Sequence, residues 1–226
     1  MRILILGGHG KVALLAYPLL NQAGHTALGA IRNPAHAADV EQAGGIPVLL
    51  DIESASTEEM AAAMEGVDAV VFSAGAGGGN PERTVAVDRE AAIRSMDAAS
   101  LAGVPRYVMV SYHGGGRVNR VGEDNGFFTY QEAKLAADSA LAASDLDWTI
   151  LGPGSLTLEP SPGGVSPAVA RGDHPHTSRE LVAQVITAVV GDARSYGRIM
   201  DFHDGALPIE EWIEGVASGE LEGAEA

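Results

Sequence analysis

Cysteine is absent from this chain, and lysine occurs only at Lys11 and Lys134 among 226 residues. Without cysteine there is no disulfide framework, no thiolate metal site and no cysteine nucleophile. Positive charge is scarce: 14 Lys and Arg stand against 30 Asp and Glu, for a formal charge of -16. Nucleic-acid affinity rests on basic side chains neutralising phosphates, so a chain this acidic is a poor partner for that polymer. It is equally unsuited to anionic membrane surfaces. No apolar run reaches the roughly 18 residues of a membrane span. The apolar start, Ile3 to Leu6, is interrupted by glycine too early for a signal peptide. The expectation is a cytoplasmic protein whose partner is a small molecule, with neither nucleic acid nor membrane; oligomeric state is not legible.

What is present is a regular alternation. At 46% hydrophobic and 19% charged, the chain can bury a substantial core. Short apolar runs at 3–6, 26–31, 47–50, 68–72, 107–110 and 148–151 predict strands. Between them, Ala-rich stretches at 11–22, 34–42, 57–64, 81–102 and 130–143 predict helices. Pro18 lies inside the first helix and removes one of its hydrogen bonds. This βαβ succession implies a doubly wound parallel sheet with helices on both faces. From Pro153 to Pro175 the chain is rich in Pro, Gly and Ser and reads as a loop, with a short strand at 155–158. A helix at 178–190, a late strand at 198–202 and a helix at 208–216 follow. The expected organisation is one domain over 1–216, in which 152–216 form a small substrate-covering region. An acidic tail, 217–226, completes a segment with six glutamates after Pro208 and no Lys or Arg.

The first strand runs into Gly7-Gly8-His9-Gly10-Lys11-Val12-Ala13 and then a helix, matching G-x-x-G-x-x-A. Glycines there permit a tight turn and let the backbone approach a pyrophosphate at the positive helix N-terminus. Gly7, His9, Gly10, Lys11 and Val12 are therefore candidate cofactor contacts. An NAD site places an acid at the end of the second strand to bond the ribose 2′-hydroxyl. Here the chain reads Ala30-Ile31-Arg32-Asn33. Arg32 can hold a 2′-phosphate instead, with Lys11 as a second cation. NADP is thus expected over NAD. Asp51-Ile52 and Ser73-Ala74-Gly75 follow the third and fourth strands, where ligands bind in open α/β sheets.

Ser111 ends the fifth strand, and Tyr130-Gln131-Glu132-Ala133-Lys134 opens the next helix. Tyr130 and Lys134 are i and i+4 and share a face. A neighbouring ammonium is expected to lower the Tyr130 pKa, so that Tyr130 can exchange a proton with a substrate oxygen while hydride moves. His174-Pro175-His176 has no accompanying carboxylate motif and is not read as a metal site.

Together the glycine loop, Ser111, the Tyr130–Lys134 pair and Leu151-Gly152-Pro153-Gly154 resemble the short-chain dehydrogenase/reductase superfamily. The resemblance is to its atypical NAD(P)-binding, NmrA-like and epimerase-like branch. It extends over most of the chain, including Val87-Asp88-Arg89 and Thr177-Ser178-Arg179-Glu180-Leu181. It implies a Rossmann-type fold and an oxidoreductase or epimerase-type enzyme, the branch also containing redox sensors without turnover. It implies Tyr130 as acid/base, Lys134 on the nicotinamide ribose and tuning Tyr130, Ser111 orienting substrate, and Pro153-Gly154 beside the nicotinamide. The family's active-site Asn corresponds here to Asp88. Titration of both dinucleotides tests the cofactor reading: NADP binds more tightly than NAD, and Arg32→Ala removes the preference.

Overall fold

The computed structural model describes residues 1–77, 80–114, 120–167 and 175–221. In chain order, β1 (Arg2–Leu6) leads to α1 (Lys11–Gln22), β2 (Thr26–Ile31), α2 (Ala37–Gln42), β3 (Ile46–Leu49), α3 (Thr57–Ala63) and β4 (Ala69–Phe72). Then come α4 (Pro81–Thr84), α5 (Ala92–Ala102), β5 (Arg106–Val110), α6 (Phe128–Ala142) and β6 (Asp147–Pro153). The remainder holds β7 (Ser155–Thr157), β8 (Gly164–Ser166), β9 (His176–Ser178), α7 (Arg179–Val189), β10 (Arg198–Gly205) and α8 (Ile209–Ser218).

The apolar runs become strands because both of their faces are covered. In β1, Ile3 and Ile5 enter a core with residues of α1, α7 and α8, while Leu4 and Leu6 enter a second core with residues of α3, α5 and α6. The sheet order is β3-β2-β1-β4-β5-β6-β10-β8. All neighbours are parallel except β8, which runs antiparallel to β10. The order reverses between β1 and β4, which makes that junction the topological switch point. Among the described residues no helix is long and apolar enough to cross a membrane.

Differences from the sequence expectation have physical causes, and one buried cation adds to them. The segment read as a loop contains β8, whose glycine-bearing, three-residue run has no alternation to read. The helix over 81–102 is broken in register, because Val85–Ala91 between α4 and α5 winds as a π-helix. Beyond α8, Leu221 folds back on the helix, its N–H donating to the Gly215 carbonyl at 3.0 Å. The last residues of the tail, 222–226, lie outside the described ones, as does His174. Finally, Arg106 is buried in β5 and donates to the carbonyls of Val189, Val190 and Asp147 at 2.7, 3.0 and 2.7 Å. It neutralises the negative end of α7, and burial lowers its pKa to about 10.

Helix α1 is locked to the sheet through Tyr17, a buried residue whose hydroxyl donates to the Gly8 carbonyl at 2.6 Å. A Cβ on Gly29 would lie 2.0 Å from that hydroxyl oxygen. Gly29→Ala is accordingly expected to destabilise the fold by about 1–3 kcal/mol, the usual cost of overpacking, measured by urea unfolding.

Candidate active site

The carboxyl ends of β1, β2 and β4 meet with almost no side chain between them. Gly7 has φ +89°, and a Cβ there would lie 2.8 Å from the backbone of Ala74 at the end of β4. A Cβ on Gly8 would lie 2.5 Å from the backbone of Gly29 in β2. Gly10, the N-cap of α1, offers no side-chain cap to the first turn. The result is a cradle that a side chain would fill, faced by helix N–H groups that an anion can satisfy.

A pocket of about 210 Å³ opens on this cradle and is lined by Gly7, His9, Gly10, Arg32, Asp51, Ile52, Ser73, Ala74 and Gly75, with other residues. The structure thus brings together most of the sequence-predicted cofactor contacts. His9 stacks on His36 with ring centroids 3.7 Å apart, and its Nε2 lies 2.8 Å from Asp39 Oδ2. Asp51 Oδ1 accepts from the Glu53 N–H at 3.1 Å and shapes the loop after β3. Lys11 is exposed and lines neither this pocket nor the next. The second cation in the pocket is Arg83, on α4, which pattern reading passed over. Glu53 was passed over too; its carboxylate lies between Arg32 and Arg83.

Ser73, Ala74 and Gly75 also line a larger cavity of about 870 Å³, so the two spaces form one groove along the carboxyl edge of the sheet. Here Val12, Asp88, Ser111, Tyr130 and Lys134 come together, with Phe127 and Leu156 supplying apolar surface. Lys134 is 1% exposed and donates to the Val110 carbonyl at 3.0 Å, with its ammonium 5.8 Å from the Phe72 ring centroid. Asp88, on the π segment, is also buried and accepts from the Ala76 N–H at 3.0 Å. Burial raises its pKa, opposed by Lys134, by the Ala76 N–H and by Arg83.

Ser111 donates to Asp138 Oδ2 at 2.7 Å. Asp138 stands four residues beyond Lys134 and eight beyond Tyr130, on the same face of α6. The spacing that singled out Tyr130 and Lys134 also reaches Asp138, so this residue was findable by extending the pattern one turn.

The expected lowering of the Tyr130 pKa is overturned. Burial raises it first, and the negative charge of Asp88, then Tyr112 and Asp138, raises it further. The Lys134 ammonium donates to the Val110 carbonyl. The phenol therefore keeps its proton. Pro153 and Gly154 line neither cavity. The Pro153 carbonyl accepts from the His113 N–H at 2.7 Å, and the Gly154 N–H, just after β6, donates to Thr177 Oγ1 of β9 at 2.8 Å. His113 Nδ1 lies 3.9 Å from Asp201 Oδ2. Among the described residues no group of His, Asp and Glu is gathered as metal ligands.

Comparison with known proteins places this geometry in context. A family model described as NAD(P)H-binding matches residues 7–193. The chain is similar to a Bacillus subtilis protein named as an uncharacterized sugar epimerase, 34% identical over 221 residues that cover 95% of this chain and 99% of the relative. Among solved structures it is similar to a Bacillus halodurans protein named as an NAD-dependent epimerase/dehydratase. Identity is 31% and the TM-score 0.86, covering 95% of this chain and 99% of that one. An oxidoreductase from Lactococcus lactis is 27% identical with a TM-score of 0.84, covering 96% and 97%.

The raised Tyr130 pKa has a direct readout. In the ligand-free protein, the difference in 295 nm absorbance between wild type and Tyr130→Phe should develop only above pH 10, the ordinary tyrosine value. A difference that develops below that pH would show the phenol to be activated before any ligand arrives.

Proposed function

The chain belongs to the NAD(P)H-binding family, and from that premise we propose that it is an NADP-dependent oxidoreductase acting on a small carbonyl or hydroxyl compound. The observation that carries this reading is the junction of the two cavities. The glycine cradle and Arg32 lie at one end of the groove, and Ser111, Tyr130 and Lys134 at the other. Gly7, Gly10 and the open first turn of α1 would hold the pyrophosphate, Arg32 a 2′-phosphate, and Lys134 the nicotinamide ribose. Asp51 and Ile52 would border the adenine, and Ser73 to Gly75 the middle of the dinucleotide.

The nicotinamide supplies or takes up a hydride when bound. The chain's own part is proton management. Tyr130, held as the neutral phenol, donates its proton to the oxygen of a carbonyl undergoing reduction. Lys134, buried in the same cavity, would bind the nicotinamide ribose and help orient it beside that oxygen. Ser111 spends its one proton on Asp138, so its oxygen presents lone pairs to the cavity. In that state Ser111 accepts a hydrogen bond from a substrate hydroxyl. To donate to a carbonyl it must turn from Asp138 toward the substrate.

An epimerase-type reaction is the second reading, favoured by the names of the two Bacillus relatives. The same proton donor would serve a transient oxidation. Against a nucleotide-sugar substrate, Lys134 is the sole cation among the described residues lining the larger cavity. A pyrophosphate-bearing substrate would need more positive charge there. A redox sensor, in turn, has no use for a Ser–Tyr–Lys constellation.

Turnover separates these readings. NADPH offered with a panel of carbonyl compounds should be oxidised, and Tyr130→Phe should reduce kcat by about 100-fold or more, as for loss of a general acid. Full activity in Tyr130→Phe, or cofactor binding without turnover on any substrate, would contradict the oxidoreductase reading.

A further inference from the structure

Glu53 occupies a position for which the reading of Arg32 leaves no role. Its carboxylate Oε2 lies 3.5 Å from Arg32 Nη1 and 3.2 Å from Arg83 Nε, and all three side chains line the smaller pocket. The loop that carries it is fixed from behind. Arg94, on α5, donates to the carbonyls of Ile52, Glu53 and Ala55 at 2.9, 3.2 and 2.8 Å. The backbone at this point is therefore held, while the Glu53 side chain is 32% exposed.

We infer that Glu53 is the specificity-determining residue for the 2′ position of the dinucleotide: a built-in acidic competitor that occupies Arg32 and must release it to a 2′-phosphate. The inference rests on the proposed reading of the groove as a dinucleotide site. A 2′-phosphate seated on Arg32 is brought beside a carboxylate that already shares the same guanidinium, and like charges at that separation oppose each other. A 2′-hydroxyl meets no such opposition, because it can donate to the carboxylate. Glu53 thus does from the loop after β3 what an acid at the end of β2 does in an NAD site. The preference conferred by Arg32 is correspondingly reduced.

Arg83 gives the competitor a second place to rest. When Arg32 is taken, Glu53 keeps its contact to Arg83 Nε, and Arg83 Nη1 continues to donate to the Ala76 carbonyl at 3.0 Å. Release therefore does not strand a carboxylate without a partner, and the exchange is reversible.

The test is equilibrium titration of the full chain with NADP and NAD, followed by intrinsic fluorescence or calorimetry. Because the ion pairs are part-exposed and screened, Glu53→Gln should tighten NADP by about tenfold and change NAD by less than about threefold. The gain should shrink at high ionic strength and be largely lost in an Arg32→Ala background. Glu53→Asp, which draws the carboxylate back while conserving its charge, should shift the NADP/NAD ratio the same way by a smaller factor. A ratio that stays within about twofold of wild type in both Glu53 variants, or that moves toward NAD, overturns the inference while the cofactor reading stands. Failure of the wild type to bind either dinucleotide overturns both.

Discussion

The groove depends on one constraint: three backbones must touch where β1, β2 and β4 leave the sheet. Gly7 lies against Ala74, Gly8 lies against Gly29, and the Tyr17 hydroxyl closes the contact by holding the Gly8 carbonyl. Each contact uses the absence of a Cβ. Together they bring Arg32, the start of α1 and the Ser73–Gly75 segment around one cradle. Tertiary packing thus positions the ligand-facing backbone, and the helix terminus supplies the electrostatics.

The other end of the groove is organised by charge. Asp88, Lys134 and Asp138 are all buried, two acids around one base. Buried charges persist when they are paired and hydrogen-bonded. The Ala76 N–H, the Val110 carbonyl and the Ser111 hydroxyl meet that need. Burial, with the negative charge of Asp88, Tyr112 and Asp138 behind it, keeps the Tyr130 proton in place. The scarcity of lysine in this chain makes the position of Lys134, in the core beside Asp88, more telling. Lys11, the other lysine, turned out to have no share in either cavity.

The parallel sheet, its helices and the glycine turn were legible because each rests on local pattern: continuous apolar runs, helical spacing, glycine before a helix. Ser56 capping α3 together with Glu59 is the same kind of local signal, and it appears as a reciprocal capping box. What escaped reading depends on distance in sequence. Glu53 reaches Arg32 across 21 residues and Arg83 across 30. Arg106 reaches the end of α7 across 83. The π segment of Val85–Ala91 left no mark in an Ala-rich run, although it is what places Asp88 in the cavity. The direction of the Tyr130 shift is hidden from the sequence for a related reason: spacing shows that Lys134 is near, but not that its ammonium is held by Val110 or that two acids and Tyr112 act on the phenol.

The two ends of the groove are also joined through the protein. Arg83 donates to the Ala76 carbonyl, and the Ala76 N–H donates to Asp88, so the pair at Glu53 and the acid beside Tyr130 meet at one residue. The account stands or falls on whether a single dinucleotide spans that distance. A crystal structure of the protein grown with NADPH tests it most directly. The pyrophosphate should lie on the Gly7–Gly10 cradle, the 2′-phosphate on Arg32 with Glu53 turned away, and the nicotinamide beside Tyr130 and Lys134. A dinucleotide bound elsewhere, or one whose nicotinamide end lies away from Tyr130, would contradict the account.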